Sequence, residues 1–255
     1  MTASMNLSSF TAVGGETKDL LMKYEYQVRM QQRHLDAIVG ALRFRQQLLS
    51  GDLYGTLGKV AIEAWESFPE VERSPYPARR GSLVEVRQGV KEICESIAEI
   101  VWAGHPSRLD FNLSPEGRLA SELIPQSGQR ARRTRFVVKL RKGSLARIRQ
   151  AVEFELRTRI AHLVPVIDFL SVEQEKHERG EEGFGKRFDA LRAKCENLKR
   201  LAWQIEGGNY GPWFSHKSKF LFDIYQAIES EFGDMRYRHP SPLVKNVPMM
   251  QVERC

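Results

Sequence analysis

The residues of this chain best suited to meeting a phosphate backbone lie close together. Between Glu122 and Glu153 there is no acidic residue, yet the interval holds Arg130, Arg132, Arg133, Arg135, Lys139, Arg141, Lys142, Arg147 and Arg149. These nine cations exceed the net charge of +7 of the whole 255-residue chain. Setting them aside leaves 30 basic against 32 acidic residues, so one short window carries the basic character of an otherwise slightly negative molecule. A concentrated cationic segment on a near-neutral body is the electrostatic footprint of polyanion binding. A merely solvated charged face would be expected to interleave acids with its bases, and this window does not.

Within the window, Thr134 to Leu140 reads TRFVVKL. Its period of two puts Phe136, Val138 and Leu140 on one side and Arg135, Val137 and Lys139 on the other, the pattern of a half-buried strand. Gly143 and Ser144 then supply a break and a helix cap. Leu145, Ile148, Val152, Leu156, Ile160, Leu163 and Ile167 follow at spacings of three or four, one apolar stripe of a helix that Pro165 is expected to kink or interrupt. A lone strand has backbone donors and acceptors that require a partner. Few other strand signals are present, so the expected partner is the same strand of a second molecule, with a weak segment near Leu109 to Leu113 as the alternative.

Antiparallel pairing about a twofold axis would seat Phe136, Val138 and Leu140 on helices beneath and project Arg135, Val137 and Lys139 from both copies. A two-stranded ribbon fits the major groove of B-DNA, where Arg and Lys meet guanine O6 and N7 and Val meets a thymine methyl. Arg135, Val137 and Lys139 are therefore the candidate base contacts. Arg130, Arg132, Arg133, Arg141, Lys142, Ser144 and Arg147 are the candidate phosphate contacts, Ser144 through the free backbone donors of a helix N-terminus.

The elements around this window read as helices. Residues 1 to 15 are small and polar and are expected to form a mobile tail. From Thr17 to Leu49, apolar residues at Leu21, Val28, Leu35, Leu42 and Leu49 repeat every seven positions, predicting one long packed helix. A capping box from Ser82 to Glu85 opens a second, with Val86, Val90, Ile93, Ile97 and Ile100 as its stripe. Ser114-Pro115-Glu116 starts a short helix that Pro125 and Gly128 end. Glu173 to Gly183 reads as a charged connector. Phe184, Phe188, Leu191, Cys195, Leu198, Ala202 and Ile205 mark a further helix, and His216 to Phe232 the last. A tail with Pro240, Pro242 and Pro248 is expected to be irregular.

The expected organisation is thus a tail at 1–15, a helical region at 16–128, a basic ribbon-helix region at 129–170, a helical region at 171–235 and an irregular tail at 236–255. The fold class is mainly α, a multi-helix protein with one short strand in an intermolecular antiparallel ribbon. Over about Arg133 to Leu170, the alternating strand followed by helix resembles the ribbon-helix-helix family of DNA-binding proteins. That resemblance implies an obligate homodimer; either the turn between its two helices falls near Leu156 to Arg159, or a single long helix replaces the pair. More loosely, the helical body with this insertion looks like a protein group encoded on integrative conjugative elements and related plasmids, which implies a regulator of conjugative transfer genes.

Other chemistries find less support. No Walker loop, HExxH, GxSxG or paired-carboxylate signature is present, so no catalytic residue, cofactor or small-molecule substrate is expected. Arg157 and His162 fit the R-x4-H spacing of HEPN ribonucleases, but Arg29 and His34 fit it too, which shows how readily six residues produce it. The heptad-like helices would suit a scaffold subunit, although such stripes more often face an internal core. Tyr210, Trp213, Phe214, Phe220, Phe222 and Tyr225, with Lys217 and Lys219, could stack single-stranded bases; aromatic residues at this density more commonly fill a core. Cys94, Cys195 and Cys255 lack a CxxC pair and read as reduced thiols rather than disulfide or zinc ligands. With no long apolar run and no signal-like start, a cytoplasmic protein without a membrane partner is expected.

Overall fold

A computed structural model of the chain describes residues 24–49, 85, 88–93, 95–96, 110–127, 135–177, 184–206, 216–232, 243–244 and 247–255. It is mainly helical, with a small antiparallel sheet of three strands. Strand β1 is Tyr26–Gln31, β2 is Arg135–Leu140 and β3 is Gln251–Arg254, in the order β2-β1-β3. The helices are α1 (Gln32–Leu49), α2 (Pro115–Ser127), α3 (Lys142–Arg159), α4 (Val164–His177), α5 (Phe184–Glu206) and α6 (His216–Phe232).

The expected strand at Arg135 to Leu140 forms, but its partner lies in its own chain. β1 pairs with β2 in register Tyr26 with Leu140 and Gln31 with Arg135, and with β3 in register Tyr26 with Arg254 and Arg29 with Gln251. The lone strand of the expectation is thereby corrected to one strand of an intramolecular sheet, and the weak strand near Leu109 to Leu113 to a 3-10 turn over Phe111–Leu113. β1 occupies the start of what the seven-residue repeat predicts as one long helix. Residues 26 to 31 read YQVRMQ, whose own period of two buries Tyr26, Val28 and Met30. Val28 satisfies the strand and the heptad pattern equally well, so the repeat does not distinguish them. Likewise β3 sits in the segment expected to be irregular.

Beneath the sheet, Tyr26, Val28, Met30, Val138, Leu140 and Val252 join one apolar cluster with Leu35, Ile38 and Leu42 of α1, Leu145, Ile148 and Val152 of α3, and Leu221, Ile224 and Ile228 of α6. α3 packs on α1 and α6, α2 on α1 and β2, and α6 also on β3. α4 and α5 pack on each other, and α4 touches α3 and α1. The apolar stripe of α5 faces inward through Phe188, Leu191, Cys195 and Leu198. Of the helix expected after Ser82, Val90 and Ile93 are buried; Ser82, Val86, Ile97 and Ile100 lie outside the described residues, as do residues 1–15, 207–215 and 233–242.

Three helix ends explain the local geometry. Ser114 caps α2 as expected: its Oγ accepts from the Gly117 amide at 3.0 Å and donates to the Phe111 carbonyl at 2.6 Å. A Cβ at Gly117 would lie 1.7 Å from the Phe111 carbonyl oxygen, so only glycine fits there. α3 starts at Lys142, two residues before the expected cap at Ser144, and its N-cap Arg141 makes no side-chain capping bond. α3 and α4 are separate helices, since the chain turns after Arg159. Ala161 adopts φ 56° and the His162 amide donates to the Arg157 carbonyl at 2.8 Å. Pro165 then falls in the first turn of α4, where its missing N–H interrupts nothing. α4 runs to His177, so the charged connector begins later than Glu173.

Candidate nucleic-acid interface

Because side chains alternate along strands, the face of the sheet opposite the core is built from Gln27, Arg29 and Gln31, from Arg135, Val137 and Lys139, and from Gln251 and Glu253, with Gln31 itself buried at the strand's end. The register arranges them in rows: Arg135 beside Gln31; Val137, Arg29 and Gln251 across the middle; Lys139, Gln27 and Glu253 at the far end. Arg29, Arg135, Lys139, Gln251 and Glu253 are exposed, and Val137 is 38% exposed. Arg29 donates to the Gln251 carboxamide oxygen at 3.4 Å. Neither Arg135 nor Lys139 has an ion-pair partner among the described residues. No outward residue of the three strands is aromatic.

The strand-to-helix corner that carries this face is pinned by His34. Its Nδ1 accepts the Gln31 amide at 3.0 Å, the reach-back from the third helical position to the N-cap, and its ring lies 5.0 Å from that of Phe220. Burial lowers its pKa to about 4, and the nearby charges of Arg33 and Arg135 push the same way. The imidazole is therefore neutral near pH 7. Sequence spacing couples His34 to Arg29, but the structure parts them, one in the core and one on the outer face.

The cations of the basic window do not share one surface. Arg130, Arg132 and Arg133 lie outside the described residues. Arg141 and Lys142 are exposed at the start of α3, and Ser144 is half-buried in its first turn. Lys142 lines an open cleft of about 400 Å³ with Tyr24, Glu25, Arg254 and Cys255, at the end of the sheet where Lys139 lies. Arg147 is drawn to within 4.0 Å of Glu116, the buried carboxylate that also pairs with Arg45. Arg149 is 2.9 Å from Glu229 and stacks over Phe232.

Arg157 and His162 do not share a helix face, since α3 ends between them. Arg157 pairs with Glu153 at 3.5 Å. His162 is 2% exposed with no hydrogen-bond partner at either nitrogen among the described residues; burial, then Arg157 and Lys199, lower its pKa to about 4. A solvent-borne phosphodiester does not reach this ring. Phe220, Phe222 and Tyr225 pack against the core, and burial with Glu153 and Glu229 raises the Tyr225 hydroxyl to about 12. Lys217 lies 2.7 Å from Glu155. Tyr210, Trp213 and Phe214 lie outside the described residues.

The sequence reading missed Arg29, Gln27 and Gln251, which complete the outer face. The signal for β1 was there, in six alternating residues, but the helical repeat masked it. Among the described residues no group of three or more His, Cys, Asp or Glu could hold a metal ion, and no helix is long and apolar enough to cross a membrane. Comparison of the chain with protein-family models, curated proteins and solved structures gives no match.

Proposed function

We propose that this protein binds double-stranded DNA in a sequence-dependent manner through the outer face of its sheet, as a regulator of transcription. Arg135, Val137 and Lys139 make base contacts. Arg130, Arg132, Arg133, Arg141, Lys142, Ser144 and Arg147 approach phosphates, with Arg147 the weakest of them because Glu116 competes for it. The observation that carries the reading is an exposed sheet face with three cations, no aromatic residue and one carboxylate, Glu253.

Dimension and chemistry agree with it. The major groove, about 12 Å wide, admits a two-stranded β-ribbon, and β2 with β1 forms such a pair at one edge of the sheet. Single-stranded nucleic acid is held chiefly by stacking on aromatic rings, and this face offers none. β2 already pairs with β1 within one chain and keeps its other edge open as the outer strand of the order β2-β1-β3. The conjugative-transfer genes suggested by the sequence resemblance are the first regulatory targets to try.

The test is fluorescence anisotropy of the full chain on duplex DNA, single-stranded DNA and duplex RNA over a range of salt. If about six phosphates are neutralised, log affinity for duplex DNA falls with log salt at a slope near minus five. Arg135→Ala should relax sequence preference, whereas Arg141→Ala should weaken all duplexes alike. A salt-independent affinity, or equal binding to RNA and single strands, overturns the reading.

A further inference from the structure

The middle row of the sheet face carries a sharper statement, which rests on the DNA-binding reading above. Two residues along a strand advance about 6.8 Å, farther than one base-pair rise of about 3.4 Å. Strands lying along the groove would therefore present Arg135, the middle row and Lys139 to different base pairs. The end rows offer flexible or edge positions. The middle row is different: Arg29 stands on the central strand with the short Val137 on one side and Gln251 on the other.

Gln251 engages one guanidinium nitrogen of Arg29 at 3.4 Å, leaving the rest of that planar fork for a ligand. No carboxylate pairs with Arg29 among the described residues, so its charge is not already satisfied within the protein. A guanidinium steadied at one end and open at the other suits guanine O6 and N7, and an exposed Val methyl beside it suits the C5 methyl of thymine. Cross-strand neighbours stand about 5 Å apart, close enough to address adjacent base pairs but not one base.

We infer that Arg29 is a specificity-determining residue that reads a guanine, that Val137 reads a thymine methyl on the adjacent base pair, and that Gln251 positions Arg29. Preferred duplexes then contain a G·C pair next to a T·A pair at the centre of the contacted site. All three side chains lie on the outer face, so their replacement leaves the core intact.

Selection from a randomised duplex library with the full wild-type chain should enrich sites with such an adjacent pair. Arg29→Ala should erase the guanine preference and cost roughly 5- to 150-fold in affinity for the selected site. Val137→Ala should erase the thymine preference alone. Gln251→Ala should keep the guanine preference while weakening the selected site, and Arg29→Lys should restore affinity without full preference, since Lys lacks the planar fork. Thermal unfolding of each variant confirms that folding is retained. If wild type selects a site and Arg29→Ala selects the same one, the inference fails and the DNA-binding reading stands. If wild type binds no duplex at all, the DNA-binding reading fails first.

Discussion

The arginines of one basic run have two fates in this molecule. On β2, Arg135 and Lys139 face solvent with no ion-pair partner among the described residues. On α3, Arg147 is met by Glu116 and Arg149 by Glu229, and past the end of the run Arg157 is met by Glu153 and Arg159 by Glu155. Glu116 and Glu229 come from α2 and α6, remote in sequence. A run of cations in a sequence is therefore not a surface patch; folding sorts it into compensated charges that hold helices together and uncompensated ones that remain available to a ligand.

That contrast can be broken most severely at Glu155, which accepts from Arg159 at 3.0 and 2.9 Å and lies 2.7 Å from Lys217. Glu155→Ala would leave the 7%-exposed Arg159 unpaired and should destabilise the protein by about 3 to 5 kcal/mol in denaturant unfolding. Duplex affinity per folded molecule should not change. On β2, the two faces should separate cleanly: Leu140→Ala should cost about 2 to 5 kcal/mol and Val137→Ala less than about 0.5 kcal/mol. Equal costs would mean that the outer face is packed against something and not free.

Acid should act on the buried side alone. His34 and His162 have pKa values near 4 in the fold against an ordinary 6.5, so the unfolded chain binds more protons between these values. Their contribution is complete above about pH 6.5 and is lost as pH falls through 4. Melting temperature should drop over that window, and His162→Leu should flatten part of the drop; an unchanged profile would place the ring in contact with water. The smallest effect separates the two classes of arginine directly. Arg149→Ala should cost about 1 kcal/mol of stability, being only partly buried, and leave duplex binding intact. Arg135→Ala should do the reverse.

Much of the helical frame was legible because its signals are local. α6 was read to the residue from His216 to Phe232, and α5 from its stripe of Phe188, Leu191, Cys195 and Leu198. The inward series from Leu145 to Ile167 is buried throughout, although the helix expected to carry it is broken at Ile160. Even there, three- and four-residue spacing told the facing side correctly while giving no notice of the turn. Of the candidate interface, β2 was legible from TRFVVKL, but its partners were not. β1 was hidden because Val28 and Leu35 fit a helical repeat, and β3 because four residues after Pro248 are too few for periodicity to register. Long-range pairing leaves little mark on either strand taken singly, and Arg29 was overlooked for that reason.

The order β2-β1-β3 also fixes when this face can come into being. Tyr26 stands in register with Leu140 on one flank and with Arg254 on the other, so three widely spaced pieces of polypeptide must meet before the platform closes. Such distant closures are slow compared with helix formation. During synthesis on the ribosome, α1 and α3 can dock early, whereas the outer sheet face stays unfinished until Gln251–Arg254 has emerged and zipped onto β1. A nascent chain is thus expected to be compact well before its three-stranded face is whole.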